Sequence, residues 1–231
     1  MKRIILTSCL IASAMVSMAQ MPKEGDHSFT FGTSGINVIS PSTTHPTGTL
    51  LFRHYLKDDL ALRVGVNFNN LSSKTSQMGY KGDSITASSS SSNWALSLGI
   101  QKNFKGTAKL EPYIGADLML GMGSSSSKST TVNSTLGFTT DVDTKNGSTG
   151  AFRFIPCVGF NYYFTNWLAI GAEFGWGFAS SSTKAGTNTT TVTPTAGSAI
   201  TTVSNTAKTS SAGFNTIGSG LITVTVAFNH K

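Results

Sequence analysis

Strict period-two alternation over residues 167–178, an even number of strand-like segments, and connections that alternate between short and long together predict an all-β fold. That fold is an eight-stranded antiparallel up-and-down transmembrane β-barrel with short periplasmic turns and long extracellular loops. In the first of these, Leu168, Ile170, Ala172, Phe174, Trp176 and Phe178 are apolar. The intervening Ala169, Gly171, Glu173, Gly175 and Gly177 are small apart from one carboxylate. A soluble sheet hides its apolar face in a core and turns a charged face to water. A small, sparsely charged second face instead suits the crowded inside of a closed barrel with lipid outside.

Turn signals and alternation place the segments near 27–37, 48–56, 60–73, 92–104, 111–127, 149–164, 167–182 and 211–228. The first begins after Asp26, and Lys57-Asp58-Asp59 is the short turn that closes the second. The third carries the outward row Leu60, Leu62, Val64, Val66 and Phe68. The fourth carries Trp94, Leu96, Leu98 and Ile100, ending at Phe104. The fifth carries Ile114, Ala116, Leu118, Leu120 and Met122; the sixth is bracketed by Phe154 and Phe164. After the seventh, described above, Ile222, Val224, Val226 and Phe228 close the barrel. Lys105 to Leu110 and Thr165-Asn166 are the other short links. The links near 38–47, 74–91, 128–148 and 183–210 are longer and rich in Ser, Thr, Gly and Asn. A long structureless connection argues against most compact soluble folds, but belongs on the outer side of such a barrel.

Aromatic pairs such as Trp94 with Phe104 lie about ten residues apart; at ~3.3 Å per residue and ~40° tilt that spans about 25 Å, the height of an outer-membrane apolar band. Tyr55, Phe104, Tyr162, Phe164, Trp167 and Phe228 sit beside short turns or the last segment and are expected to form the periplasmic aromatic girdle. Towards the long links the outward rows turn polar. Met122 is followed by Ser124 and Ser126, Phe178 by Ser180 and Ser182, Phe68 by Asn70 and Ser72, and Trp94 is preceded by Ser92, Ser90 and Ser88. Ser and Thr suit a wet strand face, so the sheet is expected to continue beyond the membrane. Pro156 cannot donate to a ladder and a closed barrel has no edge to excuse it, so a bulge is expected there.

Residues 1–19 read as a secretory signal peptide, with Lys2 and Arg3, the mostly apolar run Ile4–Val16, and the small-x-small site Ser17-Met18-Ala19. The barrel domain is then 20–231. The run is shorter than the ~20 residues of a membrane helix. Leu6-Thr7-Ser8-Cys9 has the form of a lipoprotein box, but only three apolar residues precede it. Once Cys9 leaves with the leader, Cys157 stands alone, so no internal disulfide framework exists. The chain has 17 basic and 10 acidic residues; without Lys2 and Arg3 the net charge is +5. The basic residues are scattered and never interleave with aromatics, which speaks against nucleic acid as a partner.

With signal, eight segments, loop asymmetry, and stretches such as Glu111-Pro-Tyr-Ile-Gly-Ala-Asp117 and Tyr162-Tyr-Phe-Thr-Asn-Trp-Leu-Ala169, the chain resembles the small eight-stranded outer-membrane β-barrel family, the OmpX and OmpA-barrel type often called porin-family. The resemblance covers 27–228. It implies a location in the outer membrane of a Gram-negative cell envelope, contact with outer-membrane lipid including lipopolysaccharide, and a monomer. The ending Phe228-Asn-His-Lys231 departs from relatives that end on the aromatic itself.

Eight strands leave an interior that side chains just fill. By parity the inward set includes Arg53, Arg63, Arg153, Asp117, Glu173, Asn67, Gln101, Asn161, Tyr113, Tyr163, Thr223 and Thr225. Buried charges are tolerated when paired, so Arg53, Arg63, Asp117, Arg153 and Glu173 are expected to form an interior charge network. Such a network either plugs the barrel or, by exchanging partners, gates a narrow porin-like channel for ions or small solutes. Catalysis finds no support: His27, His45, His54 and His230 share no spacing with an acid and a nucleophile. No metal-ligand spacing occurs, and no cofactor is expected. The expected role is a non-catalytic envelope scaffold that displays Ser/Thr-rich loops for interaction or adhesion, with any extracellular ligand engaged through those loops.

Overall fold

The computed structural model describes residues 22–34, 47–79, 82–216 and 221–228. The leader read over 1–19, the end of the first segment and most of the link near 38–47 lie outside them. Twelve strands occur among the described residues: β1 (His27–Ser34), β2 (Thr47–Lys57), β3 (Leu60–Met78), β4 (Ser84–Asn103), β5 (Leu110–Asn133), β6 (Phe138–Lys145), β7 (Thr149–Tyr163), β8 (Leu168–Thr183), β9 (Thr187–Pro194), β10 (Ile200–Asn205), β11 (Thr209–Thr216) and β12 (Leu221–Phe228).

Eight of them close a ring. Antiparallel pairing runs β1–β2–β3–β4–β5–β7–β8–β12 and returns from β12 to β1, where His27 lies opposite Phe228. The eight-stranded up-and-down barrel expected from the sequence is the fold found. Its outer face is apolar and exposed, as lipid requires: Leu120 is 66% exposed, Ile100 58% and Leu98 57%. The eighth segment forms two strands, with β11 against the outer half of β8 and β12 against the inner half.

The long connections are largely sheet. β3 and β4 pair without interruption from Leu60–Lys102 to Met78–Ser84. The outer part of β5 pairs β6, β6 pairs β9, and β9 pairs β10. β5 is 24 residues long, which at ~3.3 Å per residue and ~40° tilt rises roughly 60 Å, more than twice the ~25 Å apolar band. The outward polar row is a ladder, with Asn70 opposite Ser92, Ser92 opposite Ser124, and Ser90 opposite Ser126. Gly82, Gly137 and Gly197, at φ +84°, +68° and +120°, turn the hairpin tips. Side chains lace those tips together. Ser134 donates its backbone N–H to Asp83 Oδ1 (2.7 Å) and its hydroxyl to the Gly82 carbonyl (3.0 Å), and the Thr195 hydroxyl donates to the Gly137 carbonyl (2.7 Å).

Pro156 needs no bulge. Pairing of β7 with β8 keeps one register on both sides of it, from Phe154–Phe178 to Cys157–Gly175, and skips only the two residues between. On its other side Pro156 lies opposite Ala116 in the β5 ladder. The missing donor faces β8, where Gly177 has no side chain to meet; a Cβ there would press on the Phe154 carbonyl and on Pro156 Cδ.

Candidate functional site

The barrel interior divides into a filled lower half and a hollow upper half. Period-two alternation sends Arg53 and Tyr55 of β2, Arg63 of β3, Gln101 of β4, Glu111, Tyr113 and Asp117 of β5, Cys157, Asn161 and Tyr163 of β7, and Thr225 of β12 inward, and all are buried. Tyr55 therefore does not join the girdle. It shares the parity of Arg53 and is fully buried, so it faces inside rather than lipid. Phe104, Tyr162, Trp167 and Phe228 are exposed at the short-turn end and Phe164 is half-buried, its ring 5.2 Å from that of Tyr162.

Arg63 is the centre of the lower half. Nη2 donates to Asp117 Oδ2 (3.0 Å) and Glu173 Oε1 (3.0 Å), and Nη1 lies 2.9 Å from Glu173 Oε2. Nη1 also reaches Gln101 Oε1 (3.3 Å) and Cys157 Sγ (3.4 Å). The Tyr113 hydroxyl donates to Glu173 Oε2 (2.9 Å), so that carboxylate is satisfied on both oxygens. One guanidinium bonded to two carboxylates is the pairing that makes buried charge tolerable.

The other two arginines differ from the expected network. Arg53, fully buried, has no carboxylate within ion-pair range among the described residues; it donates to the Thr30 hydroxyl (2.5 Å) and lies 5.6 Å from the Tyr113 ring centre. Arg153 stands apart. It lies opposite Met119, two residues outward from the Ile155–Asp117 pair, and is exposed, with no hydrogen-bond or ion-pair partner among the described residues. Sequence parity gives the face of a side chain but not its height, and height separates Arg153 from the other charges.

Glu111 was absent from the expected set. It is 1% exposed and accepts from Asn161 Nδ2 and from the Tyr163 hydroxyl, each at 3.1 Å. Its odd parity with Tyr113 and Asp117 was the available signal, obscured by its place at the strand start beside Pro112. Asp117, Cys157 and Glu173 bring three potential metal ligands within 4.8 Å of one another, but Arg63 bonds all three and already supplies the cation there.

Above this floor a cavity of about 570 Å³ opens outward, lined by Leu51, Asn67, Ser97, Met119, Arg153 and Ile155 among others, with Arg63, Asp117 and Glu173 at its base.

A model described as "Putative OmpA-OmpF-like porin family" matches residues 49–184. No curated protein matches the chain. Among solved structures, the N-terminal β-barrel domain of Pseudomonas aeruginosa OprF is 12% identical, with 89% of this chain and 99% of that chain covered and a TM-score of 0.34. Neisserial surface protein A (NspA) is 12% identical over 89% and 95%, with a TM-score of 0.37. Acinetobacter baumannii CarO is 13% identical over 90% and 98%, with a TM-score of 0.34.

Proposed function

Because the chain belongs to the putative OmpA-OmpF-like porin family and is a β-barrel of the outer membrane, we propose that it is a non-catalytic envelope scaffold that displays Ser/Thr-rich hairpins for interaction or adhesion. The carrying observation is the extension of the sheet beyond the apolar band as hairpins tied tip to tip through Asp83, Ser134 and Thr195. Backbone pairing and these ties give the displayed surface a fixed shape, which loops on a rigid scaffold need in order to bind. The filled lower half agrees with a structural role: Arg53, Arg63, Tyr55, Tyr113, Tyr163, Gln101, Glu111 and Asn161 are all buried across it. In this reading the protein works as a monomer surrounded by outer-membrane lipid, including lipopolysaccharide.

A second reading, a narrow channel for ions or small solutes, draws on the outward cavity, which reaches the Arg63–Asp117–Glu173 layer. Single-channel recording of the refolded protein in a planar bilayer, beside Glu173→Gln, separates the two. A correctly inserted but silent wild type supports the scaffold. Reproducible steps that change in Glu173→Gln would replace it with the channel.

A further inference from the structure

The cavity has a charge layout that the scaffold reading does not use. At its base the lining holds one guanidinium, Arg63, bonded to two carboxylates, while Arg53, opposite Arg63 on β2, stays out of the lining. Asp117 and Glu173 are not sealed off from the space above: their side chains remain 10% and 12% exposed. One rung outward stands Arg153, a guanidinium without a partner among the described residues. Arg153 and Asp117 are diagonal neighbours across β5 and β7, roughly 7–8 Å apart at Cα, a span within reach of long side chains. Yet the Arg153 guanidinium does not close onto Asp117. Leu51, Met119, Ile155 and Leu221 give the lining its apolar part, beside the polar Asn67 and Ser97. A volume of about 570 Å³ lies within the roughly 300–1,000 Å³ of small-molecule sites, and a mostly apolar wall with a few convergent polar groups is their usual chemistry.

We propose that this cavity is a blind binding pocket, entered from outside the cell, for a small zwitterion with an apolar side chain, of the amino-acid class. The carboxylate pairs with Arg153, the only partnerless cation in the lining. The ammonium lies over the part-exposed carboxylates of Asp117 and Glu173, and the side chain packs on Leu51, Met119 and Ile155. A simple anion has no group to meet the Asp117 and Glu173 carboxylates, and a simple cation meets Arg153. The zwitterion alone is matched at both ends, and specificity of this kind comes from placing repulsive groups against the competitors. This proposal goes beyond the scaffold reading and does not depend on whether the barrel conducts.

Calorimetric titration of the refolded barrel in lipid nanodiscs, with empty nanodiscs as baseline, tests it with three probes of one shape: L-phenylalanine, 3-phenylpropionate and phenethylamine. Phenylalanine is expected to bind at least tenfold more tightly than either single-charge analogue. Arg153→Gln, an exposed substitution that leaves the floor intact, is expected to weaken phenylalanine about tenfold and to tighten phenethylamine. Equal binding of the three probes, an unaltered phenylalanine affinity in Arg153→Gln, or no saturable binding by the wild type would each overturn it. The probe series alone decides the matter if the variant fails to refold.

Discussion

The lower barrel and the outer extension are built from the same strands, yet they obey opposite rules. In the lower barrel every strand has two neighbours, the ring is closed, and the polar residues point inward. In the extension the sheet opens: among the described residues β10 pairs only β9, and β3 beyond Phe68 pairs only β4. The solvent explains the difference. An unpaired backbone group in hydrocarbon costs several kcal/mol, so closure is compulsory there; water satisfies the same group at a free edge. The side chains follow suit. Leu96 opposite Leu120 gives way, along one face, to Ser92 opposite Ser124.

The largest expected effect comes from the floor. Arg63→Met leaves Asp117 and Glu173 buried without their counter-charge, and is expected to destabilise the barrel by about 3–5 kcal/mol. Equilibrium unfolding by denaturant in bilayers checks this, and a loss below 1 kcal/mol would mean the carboxylates find other partners. Next, Leu120→Arg and Ser124→Arg place the same charge on one face of β5, four residues apart. The first is expected to cost about 2–4 kcal/mol and the second less than about 0.5 kcal/mol. Equal costs would erase the membrane boundary drawn between them. Hydrogen exchange should sharpen the contrast further, with amides of β10 exchanging well before those of β4 and β7. Uniform protection would show that the extension is as closed as the ring.

The smallest effect lies in the short turn between β2 and β3, where Lys102 bonds Asp59. That bond holds the Asp59 carboxyl below its usual range. A depressed pKa contributes stability above the unfolded value, near 4, and loses it as pH falls through the folded one. The pair is exposed, so Asp59→Asn is expected to shift the unfolding midpoint slightly at pH 7 and not at all at pH 2.

Much of this contrast was legible in the sequence, because it rests on period two. Leu120, Met122, Ser124 and Ser126 announce in order one apolar face, its outer end, and its passage into water. The inward positions of Arg63, Asp117 and Glu173 follow from the same parity. What parity lacks is registration between strands. Which arginine sits level with which carboxylate depends on strand stagger, so Arg153 was grouped with a floor that lies below it and Arg53 was given partners it does not have. Tyr55 was assigned by its nearness to a turn, when its parity with Arg53 already placed it inside. The skip at Pro156 was unreadable because it depends on Gly177, a residue of the neighbouring strand.

The seam between β1 and β12 also governs assembly. His27 pairs Phe228 and Thr33 pairs Ile222, so nearly the whole polypeptide lies between the two sides of one hydrogen-bonded ladder. Every other joint of the ring links strands that lie closer together in the sequence. This one joins the first and last strands of the ring, and contacts so distant along the chain are slow to form. Until it closes, β1 and β12 each present an unpaired edge, a template on which another strand can pair.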